Sequence, residues 1–495
     1  MKPRESQFEI ETYKEVNLVA DPIHGYIRVT WPSGNSGDTE CTEKDIIDSP
    51  WLQRLRRIHQ LQAVWWVFPG GEHTRFQHSL GAMHLGGLFA SHLHKSLRRK
   101  PGVDKSKQYV EETMRLAGLL HDVGHGPFCH FFDEEYLCKN QLRDNQGNYV
   151  NHEILGQKII REELADKIVK IGRSPSGRFK RGDGQIEPDY LCYLIGSSEE
   201  ATYRNRIPKW LQVLKGLMTG VYTIDNLDYV WRDAYMCGIL PKPIDIERIK
   251  HYTLSTKDGL ALYLPAITAL EEFLRFRFHM YSSVYYHRTV RAIEIHMKEI
   301  FGETVKLLYR GANPYEDLDT FLGMDDWSLL YGVQDWLKTG NKREKALATE
   351  WKSILDRQAT KWRCVHSYTK DYAQLDELSQ IPTSDYWENK VKEELGPMGN
   401  ALVFKIDRVE EDPRRLDPLS DIVALGQVKI YNPATGKIDS RETKRIADRL
   451  PAKSIIFRLY APRIQSKEHD QTLINAFDSV FRVSARRKRG SSTST

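Results

Sequence analysis

The sequence predicts a mainly α-helical protein with a smaller C-terminal α+β lobe, on three observations. From Thr42 to about Ile300, apolar residues recur at helical spacing between Gly and Pro breaks. Within that region Met114–Asp133, MRLAGLLHDVGHGPFCHFFD, begins as an apolar helix and ends in closely packed His and Asp. Beyond Ala401 the pattern shortens, and ALVFKIDRV, IVALGQVKIY and SIIFRLY read as strands.

In chain order, Val16–Val19 reads as a strand, Asp21-Pro22 as a turn and Gly25–Val29 as a second strand. The Gly/Ser-rich stretch Pro32–Asp38 separates them from a helix that starts near Thr42. The polar stretch Gly172–Gly184, GRSPSGRFKRGDG, reads as an exposed loop or short insertion, and Trp327–Trp362 as charged helix. These signals divide the chain into a helical core with an N-terminal strand segment at 1–310 and a helical extension at 311–384. An α+β lobe at 385–480 and a basic, disordered tail at 481–495, ending ARRKRGSSTST, complete it.

A chain of 495 residues, 40% hydrophobic and 28% charged, has the composition of a globular protein with one large or two medium domains. A net charge of +5 is too mild to point to nucleic acid by itself, although the basic tail leaves that partner open. The opening MKPRESQFEIETYKEV carries charges throughout, so no signal peptide is expected. No run approaches the ~18 apolar residues of a membrane span. Six Cys without a CxxC pair suit reduced thiols in the cytoplasm, or the nucleus of a eukaryote.

Histidine is concentrated. Ten of the 17 His lie between His59 and His152, where an even spread would place about three, which argues for a site. His84, His92 and His94 read as ordinary core or surface histidines. His121 and Asp122 close the apolar helix, His125 lies a turn later, and Gly126-Pro127 breaks the chain. His130 and Asp133 then share one face of a new helix. Imidazole and carboxylate beside a buried helix are costly unless something uses them, and the mixture suits Mn, Mg, Fe or Zn. His78, in HTRFQHSLG, is a third candidate ligand. Asp225, Tyr229 and Asp233 recur at four-residue spacing along YTIDNLDYVWRD, so Asp225 is a candidate fourth ligand, and spacing alone leaves Asp228 as its equal.

The order His…His-Asp…Asp resembles the HD-domain metal phosphohydrolases. More narrowly, DPIHGYI, IIDSPWLQRLRRIHQLQ, VFPGGEHTRFQHSLG, LLHDVGHGPFCHFFD, NHE and DNLDYVWRD resemble the deoxynucleoside triphosphate triphosphohydrolases. The resemblance is to the type joined in animals to a sterile-alpha-motif domain, which is not expected here. It implies an HD-domain helical core and assigns His78, His121, Asp122 and Asp225 to a divalent metal. It implies an acid/base group of His125, His130, Asp133 and His152, with His130 protonating the leaving 5′-oxygen and exchanged roles for His125 and His130 left open. Arg75, Tyr229 and Arg277 match phosphate contacts, Gln60 and Asp233 match contacts to the sugar 3′-hydroxyl, and Tyr285 matches the aromatic that crowds the 2′ position. Asn226 stands where the family has Lys.

The implied reaction releases deoxynucleoside and intact triphosphate. Its rivals are a ribonucleotide hydrolase, a phosphodiesterase or nuclease on the same scaffold, and a non-catalytic nucleotide or nucleic-acid binder. The resemblance also implies a homo-oligomer, dimer or tetramer, activated by GTP or dGTP. Asp48, Gln53 and Arg56 match the guanine-reading activator site, whereas Asn17 replaces an expected Lys and LALYLPAIT (260–268) lacks an expected Arg.

Overall fold

The computed structural model describes residues 15–32, 39–99, 103–196, 206–256, 259–357, 361–372, 383–411, 428–451 and 453–490. The chain forms two compact units. The first is built from the chain up to Phe276 with Val305–Gly332 and Ile422–Arg449, and the second from Arg277–Thr304, Val333–Asp421 and the chain beyond Leu450.

In the first unit β1 (Val16–Asp21) and β2 (Gly25–Thr30) form an antiparallel hairpin. Its turn closes because Asp21 Oδ1 accepts both Ile23 N–H and His24 N–H at 2.9 Å, and Gly25 supplies a φ of 74°. The helix near Thr42 is present as Glu43–Ile47, started by a Thr42/Asp45 capping box. Three longer helices carry the site. α1 (Arg75–Leu97) starts at a Thr74/Gln77 capping box, α2 (Lys107–Leu120) at Ser106, and α3 (Ile224–Met236) at Thr223. From Tyr109 to Leu120 every residue of α2 is buried, so its C-terminal end emerges inside the protein. α1 and α2 cross at small residues. A Cβ on Gly118 would lie 2.5 Å from the Ala82 carbonyl oxygen, and one on Gly86 would lie 2.5 Å from that of Met114.

Three expectations change, two in this unit and one where the chain passes into the second. The stretch Gly172–Gly184 holds a small hairpin, and Arg173, Ser174 and Asp183 are buried. Asp183 accepts Ser106 N–H at 2.8 Å and Ser106 O–H at 2.5 Å, which makes the polar stretch part of the start of α2. Ile430–Asn432 pairs in parallel with Gly259–Tyr263, so the described residues 428–449 belong with the helical core. The segment 311–384 is helical at Leu318–Leu322, Asp326–Thr339 and Lys342–Leu355 but then continues as a strand.

That strand, β3 (Trp362–Tyr372), is the edge of the second unit's antiparallel sheet, with β4 (Lys405–Glu411) on the other edge and β5 (Lys453–Pro462) between them. Ile406, Ile455, Phe457 and Leu459 from the sheet pack with Val391, Leu473, Phe477 and Phe481 from two helices, α4 (Ser384–Leu395) and α5 (Lys467–Gly490). The α+β character of the lobe is thus as expected. α5 runs through the basic Arg486–Arg489 that was read as disordered, and 491–495 lie outside the described residues. Among the described residues, no helix is long and apolar enough to cross a membrane.

Gly118→Ala should cost about 1–3 kcal/mol, the usual cost of overpacking, because the obstacle is backbone. Urea unfolding of the variant against the parent measures it.

Candidate metal centre and histidine cluster

His78 lies on the first turn of α1, His121 and Asp122 follow the last turn of α2, and Asp225 opens α3. Two ring protons are committed elsewhere. His121 Nδ1–H donates to the Gly118 carbonyl at 2.8 Å, and His78 Nδ1–H donates to Asp228 Oδ2 at 2.8 Å. Their Nε2 atoms then face each other at 3.2 Å. Asp225 Oδ1 lies 3.0 Å from His78 Nε2 and 3.6 Å from His121 Nε2, and Asp122 Oδ1 lies 3.3 Å from His121 Nε2. Two Nε2 atoms and two carboxylates thus converge on one small volume, the donor set of a divalent cation. Burial opposes a charge on His78, yet its contacts with Asp225 and Asp228 push its pKa up to about 10, so a bound cation would displace the proton from Nε2. Burial also opposes the charge on Asp122, but Arg75, His121 and His125 hold its carboxyl far below the usual range. His78, His121 and Asp122 form a group that can hold a metal ion.

Asp122 also borders the second cluster, since the same Oδ1 is 3.4 Å from His125 Nε2. His125 and His152 stack at 4.0 Å with 12° between their planes, and His130 stands edge-on to both at 4.9 and 5.1 Å. Asp133 Oδ2 accepts His152 Nδ1–H at 2.5 Å and lies 3.7 Å from His130 Nδ1. Burial, with Arg75 and His152 beside it, holds the His125 ring far down and therefore neutral. Burial opposes protonation of His152 as well, but Asp133 outweighs it and the net shift is upward. Whereas the side chain of His125 is 1% exposed, that of His130 is 40% exposed.

Of the remaining expected residues, Arg75 donates from Nη1 to Asp122 Oδ2 at 2.6 Å and from Nε to Cys129 Sγ at 2.7 Å. Tyr229 stands one turn after Asp225 with its ring edge-on to His78 at 6.4 Å. Asp233 accepts from His73 Nε2 at 2.7 Å, and His73 O accepts Gln60 N–H at 3.0 Å. Asn226 is buried and donates to Val221 O at 3.3 Å. Asp48 pairs with Lys44, Gln53 Oε1 accepts Arg56 Nε–H at 2.9 Å, and the Arg56 guanidinium lies 3.7 Å over Phe76. Arg277 and Tyr285 fall in the second unit. Among the histidines read as ordinary, His92 contacts Thr253 O and His94 contacts Lys105 O, each at 3.0 Å.

The sequence profile of the HD domain matches residues 75–192, and that of the HD associated region matches 244–358. Residues 75–192 thus carry an HD domain. HD domains are metal-dependent phosphohydrolases, which suits the donor set above. The chain is 27% identical over 339 residues to the uncharacterized protein YwfO of Bacillus subtilis, covering 65% of this chain and 66% of that one. It is 27% identical over 340 residues to the deoxynucleoside triphosphate triphosphohydrolase SAMHD1 of Gallus gallus, covering 64% of this chain and 51% of that one. The match therefore spans less than two thirds of either relative. A hypothetical protein from Aquifex aeolicus has a similar crystal structure, with a TM-score of 0.64 and 25% identity over 92% of this chain and all of that one.

Several residues that build the HD site escaped the sequence reading. Arg54 is fully buried and donates to the carbonyls of Val123 at 3.0 Å, His125 at 2.7 Å and Met324 at 2.8 Å. Asp326 accepts Phe128 N–H at 2.7 Å, His59 N–H at 2.9 Å and His59 Nδ1–H at 2.8 Å. Together they hold the loop between the clusters, where Phe128 and Cys129 both have φ of 58°, a costly conformation for residues with a Cβ. Arg54 sits in the run Arg54-Leu55-Arg56-Arg57, and nothing in that run marks which Arg is internal.

Mn(II) at about a hundred times its Kd should stabilise the protein by ~2.7 kcal/mol, and His121→Ala/Asp122→Ala should lose that gain. Thermal unfolding with and without chelator reads both. The His152–Asp133 contribution has its own pH signature. Because the folded pKa of His152 is raised, the contribution is complete below ~6.5 and is lost as pH rises through the raised value. Denaturant unfolding in chelator should show this fall in the parent, and His152→Asn should flatten it.

Proposed function

We propose that this protein hydrolyses deoxynucleoside triphosphates to deoxynucleoside and inorganic triphosphate. One observation carries the reading: Asp122 Oδ1 lies 3.3 Å from His121 and 3.4 Å from His125, so a cation site and a histidine acid/base group share an edge. That spacing suits one phosphoryl group with its attacking water on one side and its leaving oxygen on the other. The donor chemistry fits a metal held by His78, His121, Asp122 and Asp225. Such an ion, when bound, supplies Lewis-acid charge to the phosphate and lowers the pKa of water.

The protein's own groups do the rest. Arg75 has Nη1 and Nε engaged, which aims a fixed guanidinium whose Nη2 serves a phosphate oxygen. His130, the exposed member of the cluster, donates its proton to the departing 5′-oxygen. Asp133 orients His130 and His152, and the buried, neutral His125 stacks beside them as a spacer. This favours His130 over His125 as the acid. Asp228 occupies the far side of the His78 ring and is satisfied there, which favours Asp225 as the carboxylate ligand.

The deoxynucleotide choice rests on the resemblance of Gln60, Asp233 and Tyr285 to the family's sugar contacts, and on the activity named for the Gallus relative. Arg277 and Tyr229 belong to the same reading as phosphate contacts. Activation by GTP or dGTP through Asp48, Gln53 and Arg56, and assembly into a dimer or tetramer, complete the proposal.

Product analysis with each dNTP, and with ATP and GTP, tests it in the presence of Mn(II) or Mg(II), with and without GTP as activator. Nucleoside plus tripolyphosphate is expected, with dATP preferred to ATP. His130→Ala should lower kcat by about 10²–10⁴, the usual contribution of a positioned acid. Release of orthophosphate or pyrophosphate, or equal use of ATP, overturns the substrate assignment.

A further inference from the structure

The N-terminal hairpin turn is joined to the candidate metal centre by a continuous buried chain of ionic hydrogen bonds. Asp228, fully buried, stands at its centre. Its Oδ2 accepts His78 Nδ1–H at 2.8 Å and Arg232 Nε–H at 2.9 Å. Its Oδ1 accepts Arg232 Nη2–H at 2.9 Å and contacts His24 Nε2 at 2.6 Å. Arg232 Nη1 continues to Asp21 Oδ2 at 2.8 Å. Asp21 Oδ1, in turn, holds the backbone N–H groups of Ile23 and His24. Every oxygen of both carboxylates is used, and the side chains of Arg232 and Asp21 are 1% and 6% exposed.

We propose that Asp21, His24 and Arg232 are positioning residues for the metal, acting through Asp228 to lock the ring and tautomer of His78. The inference rests on the reading of His78 as a ligand and adds what holds it. With Asp228 fixed as a pure acceptor behind the ring, Nδ1 keeps its proton, and Nε2 is the nitrogen left to give its lone pair to the cation. Packing enforces the arrangement. Gly81 lies three residues beyond His78 on α1, and a Cβ there would lie 1.9 Å from Asp228 Oδ1 and 2.5 Å from Arg232 Nη2. Glycine at 81 is what lets the Asp228–Arg232 pair approach the helix that carries the ligand.

Asp228→Asn keeps the shape but places an amide N–H against Arg232 in either rotamer. In one rotamer it also faces His78 Nδ1 and drives the ring proton to Nε2. Asp21→Asn is milder, since its carbonyl oxygen still accepts both turn N–H groups while the charge opposite Arg232 is gone.

The test is Co(II) binding by the full chain, read from its visible absorption and from competition with a chromophoric chelator, with His78→Ala alongside. Asp228→Asn should weaken Co(II) by about 10–100-fold, the usual effect of removing a ligand's hydrogen-bond partner. Asp21→Asn should weaken it less, in the same direction. Parent affinity in both single Asn variants overturns the proposal, and a loss confined to Asp228→Asn overturns the link to the turn. If Asp228→Asn fails to fold, Asp21→Asn decides alone. Parent affinity in His78→Ala sinks the ligand reading itself, a separate outcome.

Discussion

Two imidazole Nε2 atoms are held 3.2 Å apart in a buried place. Such a pair needs positive charge, a ring proton or a cation, and the flanking carboxylates Asp122 and Asp225 draw it there. The two Nε2 atoms face that charge because the protein has committed the opposite face of each ring. Gly118 O holds one proton and Asp228 the other. The first unit keeps those faces committed with a helix, buried from Tyr109 onward, that delivers His121, a glycine-lined crossing with α1, and a saturated Asp228.

The histidine cluster faces the complementary difficulty of proximity to cations. Arg75 and His152 press on His125 and keep it neutral, while Asp133 draws charge onto His152. Two histidines in stacking contact thus stand in opposite protonation tendencies because their partners differ. The backbone between the clusters stays in its costly form because Arg54 binds its carbonyl groups and Asp326 an amide group.

Much of this was legible in the chain. Thr42, Thr74, Ser106 and Thr223 announce helix starts by their chemistry, and His121-Asp122 stands out because it follows an apolar helix. What was hidden depends on partners distant in sequence. Spacing could not separate Asp225 from Asp228, since the difference is whether each carboxylate is already satisfied. No local signal distinguishes Arg54, whose partners include Met324, 270 residues away. The strand Trp362–Tyr372 was read as helix because it lies at a sheet edge and does not alternate cleanly, and Ile430–Asn432 has strand character but no mark of which sheet it joins. Phe128 and Cys129 carry no residue-type warning of their positive φ.

The long reach of Arg54 and Asp326 bears on modularity. Residues 75–192 are the part that the HD-domain profile matches, yet they do not contain Arg54, Asp225, Asp228 or Asp326. A genetic exchange limited to that stretch would transplant His78, His121 and Asp122 without the groups that aim them. Along the nascent chain, likewise, the His125 loop stays without its Asp326 anchor until about 200 further residues have been made. The profiled stretch and the physically competent piece have different borders, and only the larger of the two holds its own site in place.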